Sequence, residues 1–411
     1  MTEPWISEDG GPRRQQTRSG AFAGFDEGDP RVVSREAFGA TMVVLDRAGR
    51  TYLQGNAVDE ATTAWVERID PVTLECLARI EDLPGGPRWP GGIGVLADDS
   101  LLVVFGNHAH RLSPELEVLA TVTLPRVRPY NSFVTLPGGQ VVTKDFGGTL
   151  PGDEPDPDMA GTQLVVLDPM SLEILATCDL PERSIARLSA DGDTVYVVGD
   201  TSLFRVVWNG SELVADPGFA PVYRTIAGQS YGWDAVIAMG AAWFLDNGEG
   251  TQNYIGTLRG VGTNAAPLHL VRVDLETAAV SLTEICGLSG GVIANPPLID
   301  PDRRIAVGYD SGNGVLAGLR IAADGSLTPA WTVEQNHGSH LILDSDSGLF
   351  LSHDHDGERW MEQLVVRDIL TGTEHGRFDS GSMFQSVLFP AAGAERRVYS
   401  CTFLAVSALS W

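Results

Sequence analysis

The chain has 411 residues, with 28 lysines and arginines against 54 aspartates and glutamates, and a formal net charge of −26 at neutral pH. This excess of carboxylates argues against nucleic acid or an anionic membrane as a partner, because it would repel a phosphate surface. With 43% hydrophobic and 20% charged residues, the composition is that of a globular chain rather than a disordered one. We therefore expect a folded protein that acts on a small-molecule substrate, while its oligomeric state stays open.

The N-terminal residues 1–30 carry no copy of the repeat found in the rest of the chain, and we expect them to form a poorly ordered extension. The pair Arg13 and Arg14 is not followed by an apolar segment, so neither a Sec nor a twin-arginine signal is indicated. No stretch approaches the roughly 20 uninterrupted apolar residues that a membrane helix needs. The sequence therefore predicts a cytoplasmic protein.

Residues 31–411 repeat one short pattern, in which an apolar strand leads into an aspartate, a turn, a serine or threonine, and another strand. The clearest copies contain Asp70, Asp168, Asp274 and Asp368, and weaker copies lie halfway between them. The resulting period is about 49 residues, which is typical of propellers and solenoids.

A tight hairpin precedes each copy, as in MVVLDRAGRTYLQG and IGVLADDSLLVVFG. Apolar runs divided by Asp/Gly turns indicate β-hairpins, and no segment has a helical period. Eight such units predict an all-β chain folded as a β-propeller of eight four-stranded blades, with seven blades as the alternative. The last unit stops after its third strand. We expect a strand near Arg31–Arg35 to complete it, so that N- and C-terminal strands close a single domain over 31–411.

Polar residues recur where the innermost strand of each unit begins and where the second strand ends. These two ends lie on the same face of a blade and point towards the central funnel. The starts are Thr41, Gly92, Asn131, Ser184, Gly232, Asn295, His340 and Gln385, and the ends are Asn56, Asn107, Phe146, Gly199, Asn247, Asp310, His355 and Ser400. They are either ordinary solvent-facing strand ends or a funnel that holds a metal ion or a polar ligand. The long connections 146–161 and 247–266 are expected on the binding face.

Six of the histidines form close pairs along the chain: His108/His110, His337/His340 and His353/His355. Imidazole is a common metal ligand and titrates near neutrality, so these pairs are candidates for acid–base or metal chemistry. We predict His340, His108 and His355 as catalytic residues, with His340 as the leading general base because it lies on a fixed strand. We expect Trp233, Asp234, Asn107, Asn247 and Gln385 to contact substrate.

Two segments resemble the senescence-marker-protein/gluconolactonase group. RPYNSFVTLPGGQVV is similar to the RPND-then-turn segment of that family, and ANPPLIDPDRRIAVGYDS is similar to its second Asn-containing segment. The resemblance implies that Asn131 and Asn295 hold a divalent cation in the funnel. The position of the family's catalytic Asp is taken by His340. The family's Glu has no counterpart nearer than Glu27, and the family has six blades rather than eight.

The sequence therefore predicts a metal-assisted hydrolase or lyase, with Asn131, Asn295, Asp310 and His340 as metal ligands. The metal would be a divalent ion, Ca, Mn, Zn or Fe, that stabilises developing negative charge while a histidine moves protons. Two alternatives stay open. One is a non-catalytic scaffold that binds a peptide or protein on its top face, and the other is an oxidoreductase with a His-bound metal.

Overall fold

The computed structural model describes residues 4–57, 62–150, 156 and 158–411. Within them the strands form eight sheets. Seven contain four consecutive antiparallel strands, and one of these seven has an additional short parallel strand from the N-terminal part of the chain. The eighth combines three C-terminal strands with one N-terminal strand. The protein is an eight-bladed β-propeller, so the main prediction is confirmed and the seven-blade alternative is wrong. The only helical elements of the described residues are the 3-10 turns Glu8–Gly10 and Thr251–Asn253, and no helix there has the length and apolar composition of a membrane span.

We number the blades in chain order and give their strands from the innermost outwards. Blades 1 to 4 consist of Ala40–Leu45, Thr51–Asn56, Ala64–Ile69 and Cys76–Leu83; Gly92–Val95, Leu101–Phe105, His108–Leu112 and Val118–Thr123; Tyr130–Thr135, Val141–Asp145, Gln163–Leu167 and Ile174–Asp179; and Ser189–Asp191, Thr194–Val198, Leu203–Trp208 and Leu213–Ala215. Blades 5 to 8 consist of Val236–Ala238, Ala241–Leu245, His269–Asp274 and Val280–Glu284; Leu298–Asp300, Ile305–Asp310, Val315–Ile321 and Leu327–Glu334; Ile342–Asp344, Leu349–Asp356, Met361–Asp368 and Glu374–Asp379; and Ala391–Ala392, Arg397–Cys401, Ala405–Ser410 and Arg31–Glu36.

Blade 8 contains strands from both ends of the chain. Its outermost strand, Arg31–Glu36, pairs antiparallel with Ala405–Ser410, and the register joins Arg31 to Ser410 and Glu36 to Ala405. The edge of the C-terminal hairpin is therefore covered by a strand that precedes blade 1 in the sequence.

The hydrophobic core lies between neighbouring blades, because the inner strands are covered on both faces. Val141 packs in a cluster with Leu102 of blade 2, whereas the next residue, Val142, packs in a cluster with Val195 of blade 4. Successive side chains of a strand point to opposite faces of its sheet, so such a strand must be apolar at every position. This is why the inner strands of the sequence are continuous apolar runs rather than alternating ones.

The repeated aspartates close the turn between the third and fourth strands of a blade. Oδ1 of Asp274 accepts hydrogen bonds from the backbone N–H groups of Glu276 and Thr277, and from the Thr277 hydroxyl. Asp168 makes the equivalent bonds to Met170 and Ser171. The pattern of aspartate and serine or threonine is thus an Asx turn, in which a side-chain oxygen satisfies backbone donors that no strand partner reaches.

Residues 4–18, which we name the N-terminal segment, run across the end of the central channel where the innermost strands finish. Its backbone carbonyls accept hydrogen bonds from the innermost strands or their ends in five blades: Trp5 from Leu45, Ile6 from Val95, Pro12 from Ala190, Arg13 from Ile237 and Gln16 from Leu343. Thr17–Arg18 then pairs parallel with Ile342–Asp344 of blade 7. Residues 4–18 of the predicted N-terminal extension therefore pack against the blades, while residues 1–3 lie outside the described residues.

Candidate functional site

A pocket of about 370 Å³, which we name the axial pocket, lies where the innermost strands begin. It is lined by residues near the start of innermost strands all around the ring, such as Asn131 of blade 3 and Asn295 ahead of blade 6. Contributions from so many blades place it on the propeller axis. Thr251 and Tyr254 add a side wall from the connection 247–266. In the other long connection, 146–161, residues 151–155 and 157 lie outside the described residues.

The polar side chains of the axial pocket include two asparagines whose amide nitrogens bond to backbone carbonyls. Nδ2 of Asn131 donates to the carbonyl of Ile185 at 3.1 Å, and Nδ2 of Asn295 donates to the carbonyls of Gly338 and Val387. These carbonyl partners fix the amide orientation, because the opposite orientation would bring two acceptors together. Oδ1 of Asn131 is buried and has no donor. The asparagines therefore offer hydrogen-bond acceptors to a ligand.

Aromatic side chains form much of the wall of the axial pocket. Trp89 stacks on Phe146 with ring centres 4.4 Å apart, and Trp233 is buried beside it with 5% of its surface exposed. The ring of Tyr254 is held in place by its hydroxyl, which donates to the carbonyl of Gln385 at 2.6 Å. Flat apolar faces with few polar groups are typical of small-molecule sites.

The floor of the axial pocket is formed by Arg187 and Phe389. Nη1 of Arg187 donates to Oε1 of Glu8 at 2.8 Å, and Nη2 donates to the carbonyl of Pro90 at 3.0 Å. The guanidinium lies against the Phe389 ring. Because the Arg187 charge is matched by Glu8, the floor does not present a free cation to the pocket.

The Arg187 side chain of the floor and five buried residues below it form what we name the axial cluster. Its six members are Glu8, Asp9, Arg14, Arg187, Asp234 and His340. Arg14 bonds to both neighbouring carboxylates, with Nη2 2.7 Å from Oε2 of Glu8 and Nη1 2.9 Å from Oδ2 of Asp9. Oε1 of the same Glu8 accepts from Nη1 of Arg187, which precedes the innermost strand of blade 4. The cluster therefore binds the N-terminal segment to the blades through charge pairs.

A glycine creates the space for this cluster at blade 2. A Cβ atom on Gly92, the first residue of the innermost strand, would lie 2.4 Å from Oε1 of Glu8. That distance is far below a van der Waals contact, so a larger residue at this position would displace the Glu8 carboxylate from its bond to Arg187.

The three histidines predicted to be catalytic lie in three different surroundings. His340 is fully buried in the axial cluster, with the Arg187–Phe389 floor between it and the pocket. Nδ1 of His108 contacts the carbonyl of Gly85 at the edge of blade 2, and Nε2 of His355 contacts the carbonyl of Met383 near blade 8. The interpretation of His340 as a base at the funnel mouth therefore needs correction, because its side chain does not line the axial pocket.

The predicted metal ligands are also separated. Asn131 and Asn295 line the axial pocket, whereas His340 belongs to the axial cluster. Asp310 closes a loop instead, because its carboxylate accepts hydrogen bonds from both the backbone and the side chain of Asn313. The predicted four-residue ligand set is thus divided among three places.

Of the residues expected to contact substrate, Trp233 lines the axial pocket. Asp234 lies in the axial cluster, where its Oδ1 accepts the backbone N–H of Arg187. The side chains of Asn247 and Gln385 stabilise loops, since Asn247 bonds to Ser230 and Ala266 and Gln385 bonds to Leu258. Asn107 is buried at the end of a hairpin, where its carbonyl accepts the N–H of Leu124. None of these four lines the axial pocket, and their contact with a substrate stays a prediction.

Neither the repeat pattern nor the hydropathy of the sequence indicates Glu8, Asp9, Arg14 or Arg187 as site residues. The first three lie in a charged, glycine-containing stretch outside the repeat, which hydropathy places in solvent. Arg187 precedes the innermost strand of blade 4 by two positions, and the count from the tight turn selected Ser184 instead.

No family model matches the chain, and no curated protein matches it in sequence. Solved structures similar to it are propellers. BamB from Moraxella catarrhalis is 11% identical with a TM-score of 0.60, covering 93% of this chain and 100% of that one. Quinohemoprotein alcohol dehydrogenase from Comamonas testosteroni is 11% identical with a TM-score of 0.65, covering 99% and 80%. The Dos1 propeller is 10% identical with a TM-score of 0.60, covering 92% and 94%.

These likenesses show the fold and nothing finer, since they include both an enzyme and propellers of other kinds. The resemblance to the senescence-marker-protein/gluconolactonase group has no support from a family model and extends only to the β-propeller as a class of fold. Hydrolase, lyase or oxidoreductase activity stays a prediction.

Proposed function

We propose that the protein binds a small organic molecule in the axial pocket, and that this molecule is neutral or cationic and donates hydrogen bonds to the pocket. The observation that carries the proposal is the lining of the axial pocket, in which aromatic side chains surround Asn131 and Asn295 and the Nδ2 groups of both asparagines bond to backbone carbonyls. Oδ1 of Asn131 has no donor in the protein, and a ligand O–H or N–H that reaches it would remove the cost of about 1–3 kcal/mol that a buried acceptor without a partner carries. Asn295 also favours a ligand that donates hydrogen bonds, because its own amide hydrogens are already bonded to two carbonyls.

The size and walls of the axial pocket favour a ligand with an apolar face. Its volume of about 370 Å³ is within the range of small-molecule sites. Trp89, Trp233 and Tyr254 supply flat surfaces for a ring, and the asparagines supply the acceptors. The net charge of −26 disfavours anions at long range. A neutral ring compound that carries hydroxyl groups combines these properties.

Tryptophan fluorescence tests the proposal, because Trp89 and Trp233 line the axial pocket. The full chain is titrated with neutral hydroxylated rings (phenols, cyclitols and hexoses) and, for comparison, with benzoate and cyclohexanecarboxylate. We expect a saturable change with a neutral hydroxylated compound and none with the carboxylates. Carboxylates that bind more tightly than the neutral compounds would contradict the proposal.

Two variants locate the binding. Asn131→Leu should weaken binding of the best neutral compound about 3- to 10-fold, the loss of one hydrogen bond. Trp360→Phe is the matched control, since Trp360 lies on the rim of blade 7 with 44% of its surface exposed and does not line the axial pocket. Equal affinities for the two variants would place the ligand elsewhere.

A further inference from the structure

Three side chains of the axial cluster meet at one point although they come from distant parts of the chain. Asp9 belongs to the 3-10 turn of the N-terminal segment, Asp234 precedes the innermost strand of blade 5, and His340 precedes that of blade 7. One ligand atom from each lies within 4.8 Å of the other two. All three residues are at least 98% buried, so water does not solvate these atoms from outside.

The imidazole of His340 is buried without a hydrogen bond at either ring nitrogen. Its Nδ1 lies 2.7 Å from Oδ1 of Asp9, but the two atoms do not have the direction of a hydrogen bond. A buried polar group without a partner is costly, and a metal ion bound to a ring nitrogen of His340 would supply the missing partner. The imidazole ring of His340 packs on the ring of Phe389, with ring centres 4.1 Å apart.

Each carboxylate of the group has one oxygen held by a donor. Oδ2 of Asp9 accepts from Nη1 of Arg14, and Oδ1 of Asp234 accepts from the backbone N–H of Arg187 at 2.6 Å. Oδ2 of Asp234 has no hydrogen-bond partner. This is the arrangement of metal-binding carboxylates, in which outer donors orient the ligand and leave one oxygen for the ion.

We propose that Asp9, Asp234 and His340 bind one divalent transition-metal ion, Zn²⁺ or Mn²⁺, and that this ion fixes the N-terminal segment to blades 5 and 7. Two carboxylates with one imidazole suit these ions better than an all-oxygen site for Ca²⁺ or Mg²⁺. The site is closed by the Arg187–Phe389 floor, so the ion is structural and enters as the chain folds. This inference does not depend on the ligand proposed for the axial pocket.

Metal analysis of the full chain provides the test. The protein is produced in medium supplemented with ZnCl₂ or MnCl₂, desalted, and analysed for metal content. We expect about one ion per chain, and a melting temperature that falls after unfolding and refolding with EDTA and recovers when Zn²⁺ or Mn²⁺ is present during refolding. A second readout uses Co²⁺ during refolding, because a Co²⁺ ion bound by nitrogen and oxygen ligands gives visible absorption bands.

Matched variants distinguish this site from a general effect on the fold. His340→Gln and Asp234→Asn should lose the ion and the Co²⁺ bands. His353→Gln removes another fully buried histidine of blade 7, and Asp344→Asn removes a carboxylate that bonds to Gly20 and Phe22, so both should keep the ion. If His340→Gln fails to fold, the metal content and the Co²⁺ spectrum of the unchanged protein still test whether an ion is bound.

Two results would overturn the proposal. One is a folded protein with less than about a tenth of an ion per chain and a melting temperature insensitive to metal during refolding, in which case His340 and Asp9 form an ordinary buried ion pair. The other is full metal content in His340→Gln, which would place the ion elsewhere. Neither result bears on fluorescence titration of the axial pocket.

Discussion

The guanidinium carbon of Arg187 lies 4.2 Å from the centre of the Phe389 ring. Both side chains line the axial pocket, while the far side of the arginine bonds to Glu8 of the N-terminal segment. This contact separates the space open to a ligand from the buried charges on the propeller axis. The side chains of Arg187 and Phe389 therefore form a single layer between the axial pocket and the N-terminal segment.

Replacing Arg187 by methionine should lower the free energy of unfolding by about 3 kcal/mol or more, because it leaves the buried Glu8 carboxylate without one of its two cations. Urea unfolding of the full chain measures this. Arg205→Met is the matched control, since Arg205 also lies 4.2 Å from an aromatic ring, Phe219, and bonds to an aspartate that is 30% exposed. The control should cost less than about 1 kcal/mol. Similar losses in the two variants would contradict a special role for the buried pair.

Gly92→Ala should destabilise the protein by about 1–3 kcal/mol, because the new methyl group would overlap Oε1 of Glu8 and displace it from Arg187. Gly357→Ala provides the comparison, since a Cβ at Gly357 meets no atom within 4 Å. Urea unfolding compares the two variants. If Gly92→Ala is as stable as Gly357→Ala, the Glu8 carboxylate does not occupy the position described.

Lys144 should make the stability of the protein depend on pH. Burial lowers the pKa of its ammonium group to about 7, although Asp145 and Asp234 oppose the shift. The group is charged in the unfolded chain up to its ordinary pKa of about 10.4, so between these values the unfolded state binds the extra proton. Its contribution to the free energy of unfolding is therefore least favourable below pH 7 and improves as the pH rises, by up to about 1.4 kcal/mol per pH unit.

Lys144→Met removes this titration, so the difference in stability between the variant and the unchanged protein should move in favour of the unchanged protein from pH 7 to pH 9. Urea unfolding at several pH values measures the difference, and groups common to both proteins cancel. Lys144 also donates to the carbonyls of Asp145 and Ser184. Losing these bonds changes the free energy of unfolding by the same amount at every pH. A difference that does not change with pH would show that Lys144 is not buried as a titrating amine.

Asp274→Ala should destabilise blade 5 by about 1 kcal/mol, because it removes the acceptor of the turn that follows the third strand. Asp274→Asn should cost less, since the amide oxygen still accepts the same backbone hydrogens. The backbone N–H of Thr277 is the main cause that lowers the pKa of Asp274 to about 2. The contribution of its charge is therefore present above pH 4 and disappears as the pH falls towards 2. Thermal unfolding at pH 7 and pH 2 compares the three proteins, and equal costs for alanine and asparagine would rule out the turn as the cause.

Local interactions made much of the fold predictable. Each tight hairpin and each Asx turn at Asp168 or Asp274 depends on residues only a few positions apart, so its signal is present in the sequence. Counting the hairpins therefore predicted eight blades. The same counting placed Asn131 and Asn295 at starts of innermost strands, and both line the axial pocket, because the distance from a tight turn fixes the height of a residue along its strand.

Only the tertiary structure determines which residues fill the central channel. The sequence determined how high His340 lies on blade 7, but whether that height is open to solvent depends on the N-terminal segment, which comes from more than 300 residues away. Asp9 and Arg14 have no apolar neighbours that would indicate burial. Their burial is possible only because Arg14 pairs with Asp9 and Glu8 inside the N-terminal segment, and Arg187, which precedes the innermost strand of blade 4, pairs with Glu8. Hydropathy assigns a value to each residue separately. A charged group can be buried only when partners compensate its lost hydration, and the partners are in place only when the blades have assembled.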